Sequence, residues 1–208
     1  VASDKFYLGV HVSIAGCVAD AVTRAAALGC TTFQIFPSSP RGWRQKPLAP
    51  ADAALFRERT AAGGFDRFFV HLSYLPNLAT SDDALYEKSV AALADAVART
   101  AALGGRYVVT HLGSHRGAGL AAGGERAASA VTRALAATPD ADVVVLMEGA
   151  AGKSGQVGTS FAELDAIYRR LERRSRRRVG LCVDTCHAHA MGYASLPAAT
   201  AWSASWRR

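Results

Sequence analysis

The sequence has no apolar run long enough to cross a bilayer, and no Gly-x-Gly-x-x-Gly fingerprint. The first absence excludes a helical membrane protein, so no membrane partner is expected. The second removes the usual mark of a dinucleotide-binding fold. Sulfur is scarce: Cys17, Cys30, Cys182 and Cys186 are the only cysteines in 208 residues. Four in a chain of this length are not a disulfide framework. The Cys182-x-x-x-Cys186 spacing is neither a thioredoxin-type nor a zinc-ribbon pair. Reduced thiols in a cytoplasm are the expected state. The first residues, Val1 to Phe6, lack a basic start followed by an apolar stretch, so no secretory signal is expected. There is no internal repeat and no low-complexity linker.

Half of the residues are apolar, enough for a sizeable core. Lys and Arg number 24 against 17 Asp and Glu, for a net charge of +7. A basic balance suits polyanionic partners, because attraction to phosphate does not depend on base sequence. Much of the excess lies in one run: Arg169, Arg170, Arg173, Arg174, Arg176, Arg177 and Arg178. That run reads as a solvated helix end and loop.

Short β-rich segments alternate with longer helical ones. Strands are predicted over Phe6–Ser13, Thr31–Phe36, Arg67–Leu72, Tyr107–Leu112, Val143–Met147 and Val179–Val183. Helices are predicted over Val18–Leu28, from about Ala51, over Asp82–Leu103 with Ser81 as cap, over Gly124–Ala137, and over Phe161–Arg173 capped by Ser160. Such alternation argues for a parallel sheet with helical crossovers, either an open doubly wound sheet or a closed barrel.

The polar residues favour the barrel. The third strand runs into His71, the fourth into His111, the fifth into Glu148 and the sixth into Asp184, with His187 three residues on. In a β/α barrel all strands open their C-terminal ends onto one face, where residues distant in sequence converge. Imidazoles and carboxylates are ligand types of divalent zinc or manganese. A lone histidine at a strand end is usually structural, and Asp184 could simply cap a helix. Four successive strands ending in ligand types is a different matter. His11 on the first strand is assigned either a supporting place behind the ligands or a structural role; His115 and His189 are read as structural. Gly152-Lys153-Ser154 resembles the end of a phosphate loop, but the glycine that motif requires falls on Met147. No nucleotide cofactor is expected.

Several segments resemble the endonuclease IV family, the zinc-dependent abasic-site endonucleases. They are Gly9-Val10-His11-Val12-Ser13 with Ala15-Gly16, Phe36-Pro37-Ser38-Ser39-Pro40-Arg41-Gly42-Trp43-Arg44, and His71 through Leu78. His111-Leu112-Gly113-Ser114-His115 and Glu148 with Gly152 continue the likeness. The most specific is Val183-Asp184-Thr185-Cys186-His187-Ala188-His189-Ala190, followed by Gly192-Tyr193. The resemblance implies a TIM-type (β/α) barrel holding three zinc ions. It implies that His71, His111 and Glu148 hold the first ion. Glu148, the residue given a catalytic role, would bridge to a second ion bound by Asp184, and His187 would belong to the third. It implies cleavage of double-stranded DNA 5′ to abasic sites in base excision repair, with Arg41, Tyr74 and Leu75 contacting the DNA.

The family pattern calls for eight strands, and six are found. Beyond His189 the sequence supplies no further histidine, no Asp-x-His pair and no glutamate, and Gly149 stands where the family usually has a polar amide. The expectation is an incomplete barrel domain over residues 1–193, a divergent tail over 194–208, and C-terminal truncation. Only the first zinc site looks complete, and activity is expected to suffer. Two rival readings are a metal-dependent sugar isomerase or epimerase of the xylose-isomerase-like barrel class, and a non-catalytic DNA-binding remnant.

Overall fold

The computed structural model describes residues 6–193; the tail expected over 194–208 lies outside them. The elements alternate as α1 (Asp20–Ala27), β1 (Gln34–Ile35), α2 (Pro50–Ala62), β2 (Phe69–His71), α3 (Asp83–Ala102), β3 (Tyr107–Thr110), α4 (Leu120–Ala136), β4 (Val144–Glu148), α5 (Phe161–Arg170), α6 (Arg173–Arg176), β5 (Val179–Cys182) and α7 (Thr185–Ala190). The five strands form one parallel sheet in sequence order, β1-β2-β3-β4-β5. Sequential order with helical crossovers is the wall of a β/α barrel, here an open one among the described residues.

The first of the six predicted strands is corrected. Phe6–Ser13 is an extended segment with one isolated parallel bridge, His11 to Gln34. It still lies along β1: Thr31 N donates to Leu8 O at 2.9 Å, Gln34 N to Val10 O at 3.1 Å and Val12 N to Gln34 O at 2.8 Å. Gly9 explains the close approach, since a Cβ there would sit 1.8 Å from the Thr32 carbonyl oxygen. The partner is also short, because the chain leaves the sheet after Ile35 for the proline-rich loop.

Side chains alternate across each strand. One face packs under the helices, with Val70, Val108, Val145 and Met147 fully buried there. The register places Phe69 beside Tyr107 and Tyr107 beside Val144, and likewise Glu148 beside Cys182, on the concave face. There Phe69 stacks on Tyr107 at 5.3 Å between centroids.

Two caps sharpen the boundaries. Ser160 Oγ accepts from Glu163 N at 3.1 Å, as predicted for α5. The cap of α3 is Asp82, not Ser81: its Oδ1 accepts from Leu85 N at 3.0 Å. A carboxylate at that position also meets the positive end of the helix. Among the described residues no helix is long and apolar enough to cross a membrane.

The arginine run is mostly consumed locally. Arg169 pairs with Asp165, Arg170 with Glu125 and Arg174 with Glu172. Arg178 departs from the solvated reading. It turns inward to the carbonyls of Val143 (3.0 Å), Leu135 (3.3 Å) and Thr138 (2.9 Å). These groups lie where β4 begins, at the end of the sheet opposite the candidate site.

Candidate metal centre

Parallel strands put every C-terminal end on one rim. His71 is the last residue of β2 and Glu148 the last of β4, while His111 follows β3 by one residue. Asp184 lies just past β5 and caps α7, its Oδ1 accepting from His187 N at 2.9 Å. The capping role and a ligand role are compatible, because the second carboxylate oxygen stays free. The first turn of α7 then presents His187 back toward the sheet.

These residues converge. Glu148 Oε2 lies 3.1 Å from His71 Nε2 and 3.5 Å from His111 Nε2. Its Oε1 lies 3.6 Å from His187 Nδ1, which is 3.8 Å from Asp184 Oδ2. Two groups result, His71–His111–Glu148 and Glu148–Asp184–His187, in each of which the donor atoms lie within 4.8 Å of one another. Glu148 belongs to both and is only 5% exposed. The geometry therefore brings His187 to the same carboxylate as Asp184.

The hydrogen bonds fix which nitrogens are available. A carbonyl only accepts, so His71 Nδ1 donates to Leu72 O at 2.6 Å. The lone pair of the neutral ring is then on Nε2, facing the carboxylate. His187 Nδ1 likewise donates to Gly149 O at 2.8 Å, leaving its lone pair on Nε2. A backbone acceptor behind a histidine is how metal-binding imidazoles are usually oriented. Burial holds the His111 imidazole below the ordinary histidine range; Glu148 opposes that, and His71 and His187 reinforce it. A neutral ring is the form that binds metal. Among the described residues His111 Nδ1 is buried with no hydrogen-bond partner.

This donor set fits a divalent cation. With Nδ1 donating to Leu72 O, a neutral His71 ring turns the lone pair of Nε2 toward Glu148 Oε2 at 3.1 Å. Two acceptors at that distance repel unless a proton or a metal ion is shared between them. The set is nitrogen and oxygen, as zinc accepts. Cys182 stands close by, but burial, with Glu148 and Asp184 adding, pushes its thiol up to about 11. In the metal-free protein it stays protonated at neutral pH.

The other predicted residues ring this centre. His11 bonds Gln34 Oε1 through Nδ1 at 3.0 Å and packs on Phe36, 4.3 Å between centroids. Partial desolvation lowers its pKa, the Gln34 bond opposing and His71 adding to the effect. Among the described residues it makes no hydrogen bond to a ligand-type residue; Phe36 touches both rings, 6.1 Å from His71. Tyr74 is 73% exposed, with its ring 5.6 Å from Phe36 and 6.1 Å from His71. Leu75 is half-buried beside it. Arg41 is exposed and lines a broad cleft with His11, Phe36 and Lys46.

Sequence reasoning did not single out Asn77 and read His115 as structural without its partners. Asn77, 9% exposed, accepts from Ala79 N at 3.2 Å and Ser114 N at 2.9 Å, joining two loops of the rim. His115 accepts from Gly117 N and Gly119 N, each at 3.1 Å. Only the bare presence of a polar residue in each motif signalled them, because their partners are backbone atoms.

A model of the xylose isomerase-like TIM barrel family matches residues 22–206. A probable endonuclease 4 of Methanoculleus marisnigri is 48% identical over 186 residues, covering 89% of this chain and 65% of that protein. One of Nitrosopumilus maritimus is 42% identical over 188 residues, covering 89% and 66%. The chain thus spans just under two thirds of these relatives. The crystal structure of endonuclease IV from Thermus thermophilus superposes with a TM-score of 0.81 at 39% identity, covering 96% of this chain and 71% of that one. A D-psicose 3-epimerase superposes with a TM-score of 0.68 at 15% identity, covering 88% and 65%, a likeness of fold alone. With the rim geometry and these similarities together, the chain belongs to the endonuclease IV family of xylose isomerase-like TIM barrels.

Proposed function

We propose that this chain is a zinc-dependent endonuclease that hydrolyses the DNA phosphodiester 5′ to abasic sites, in base excision repair. The observation that carries the metal reading is the pair of facing acceptors, His71 Nε2 and Glu148 Oε2, 3.1 Å apart in a buried rim. His71, His111 and Glu148 would hold one ion. Glu148 and Asp184 would contribute to a second, and His187, through Nε2, to a third. What zinc supplies when bound is Lewis acidity, which lowers the pKa of water and neutralises charge on a phosphate.

The chain's own groups do the rest. Leu72 O and Gly149 O keep His71 and His187 in the tautomers that expose Nε2. The exposed Tyr74 ring, with Leu75 behind it, offers an apolar wedge against a duplex opened at a missing base. Arg41 offers a guanidinium to the backbone. Double-stranded DNA with abasic sites is the partner, and no nucleotide cofactor is invoked. Residues 1–193 act as one barrel unit. The four free cysteines fit a reducing compartment, the cytoplasm.

The test is a duplex carrying one abasic site, incubated with the chain and zinc or with a chelator, beside the Thermus thermophilus enzyme. Zinc-dependent nicking 5′ to the lesion is expected. It should be slower than that of the longer enzyme, because the second and third donor sets are partial among the described residues. No nicking by a folded, zinc-loaded chain would overturn the reading. Manganese-dependent epimerisation of a ketose without DNA cleavage would favour the sugar-epimerase alternative.

A further inference from the structure

Arg116 is the one non-glycine among the described residues with a positive φ, 50°. Side chains other than glycine rarely take that conformation, and where they do the surroundings hold them in it. The grip is visible here. His115 Nδ1 takes the N–H groups of Gly117 and Gly119, on the far side of Arg116. His115 N donates to Gly155 O at 2.8 Å and Val157 N to Gly113 O at 3.0 Å, which ties this loop to the next one. Ser114 N donates to the buried Asn77 side chain.

What this bracing holds out is an exposed arginine. Its guanidinium has no carboxylate partner among the described residues, unlike the arginines of α4 and α5. Arg126 meets Asp83, Arg133 meets Glu87 and Arg170 meets Glu125. Arg116 lines an open groove of about 550 Å³ with Tyr74, Leu75, Ser154 and Gln156, and no carboxylate lines it. Tyr74 connects that groove to the metal-type cluster, its ring 6.1 Å from that of His71.

The geometry points to Arg116 as a phosphate anchor, a guanidinium held by a braced loop to grip one backbone phosphate of the DNA beside the cleaved bond. This rests on the nuclease reading above. A guanidinium takes a phosphate through two parallel N–H bonds, which fixes register as well as adding attraction. A strained but fixed loop suits that role, because its ordering cost is met before DNA arrives.

The experiment measures the affinity of the chain for a duplex with one abasic-site analogue across a salt series, with a chelator present so that no strand is cut. Each phosphate contact contributes about 0.9 to the slope of log K against log salt. Arg116→Gly should lower the slope by about one while leaving the thermal midpoint unchanged or raised, because glycine accepts the positive φ. Arg116→Lys should keep the slope, and Arg173→Ala, on the exposed α6, should not alter it. An unchanged slope in Arg116→Gly with normal binding by the parent chain would overturn the anchor and leave the nuclease reading standing. Absence of salt-dependent binding by the folded parent chain would overturn the reading on which the anchor rests.

Discussion

Replacing Glu148 with glutamine should stabilise the metal-free protein and remove most of its response to zinc. Glu148 is 5% exposed, and its Oε2 faces His71 Nε2 at 3.1 Å and His111 Nε2 at 3.5 Å. The His71 proton is committed to Leu72 O and that of His187 to Gly149 O. Without a cation the buried carboxylate faces three imidazoles, of which only His111 has a proton not committed to a carbonyl. A glutamine amide has the same shape, carries no charge and can donate to His71 Nε2. Relief of that frustration is worth about 1 kcal/mol, or roughly 2–4 °C in a domain of this size. Zinc at about a hundred times its dissociation constant adds about 2.7 kcal/mol to the parent chain, roughly 5–11 °C. Loss of a ligand common to both groups should cut affinity at least a hundredfold, more than the ~10–100-fold typical of supporting residues. The same zinc then adds only about 0.4 kcal/mol. Calorimetry with chelator and with zinc should show the order of stability inverting. A variant that melts several degrees lower in chelator, yet keeps the full zinc shift, would make Glu148 a structural carboxylate and not a metal ligand.

Three further perturbations probe the supports. Gly113 has φ 93°, and a Cβ there would lie 2.2 Å from Asn77 Oδ1; Gly113→Ala should cost about 3 kcal/mol through strain and the two bonds Asn77 gives up, read as a lower urea midpoint with weakened DNA binding. Arg178→Ala takes the guanidinium from three carbonyls, of which Leu135 O and Thr138 O keep a backbone donor; it should cost about 2–3 kcal/mol while leaving zinc uptake unchanged, since it lies at the opposite end of the sheet. The Asp20 carboxyl is held below 3.8 by its bond to Arg59 and then by that to Cys17 N. Its contribution to stability is present above that value and is lost as pH falls through the lower folded value. An NMR titration should find the depressed midpoint, and Arg59→Gln should move it back toward 3.8.

The rim was readable because barrel topology makes strand ends equivalent. His71, His111, Glu148 and Asp184 each follow an apolar run, and period-two alternation with sequential parallel order brings them together whatever the loops do. The caps were partly readable: Ser160 is alone at its helix start, whereas Ser81 and Asp82 are adjacent and either could serve. The first strand misled. Its β-branched alternation is genuine, but a ladder needs a partner of matching length, and β1 spans only Gln34–Ile35. Asn77 was not readable as a support, and His115 was readable as structural but not by its partners, because each is satisfied by backbone N–H groups from a distant or bent segment. Arg178 was misplaced for a related reason: the carbonyls that draw it inward, those of Leu135, Thr138 and Val143, lie far from it in sequence.

Zinc K-edge X-ray absorption on the chain loaded with one equivalent of metal addresses the strand-end cluster most directly. A nitrogen and oxygen shell at about 2.0–2.1 Å is expected, with the outer scattering of imidazole, lost in His71→Ala. A sulfur shell at about 2.3 Å would place the ion on Cys182 or Cys186 instead, and would contradict a metal centre built from His71, His111 and Glu148.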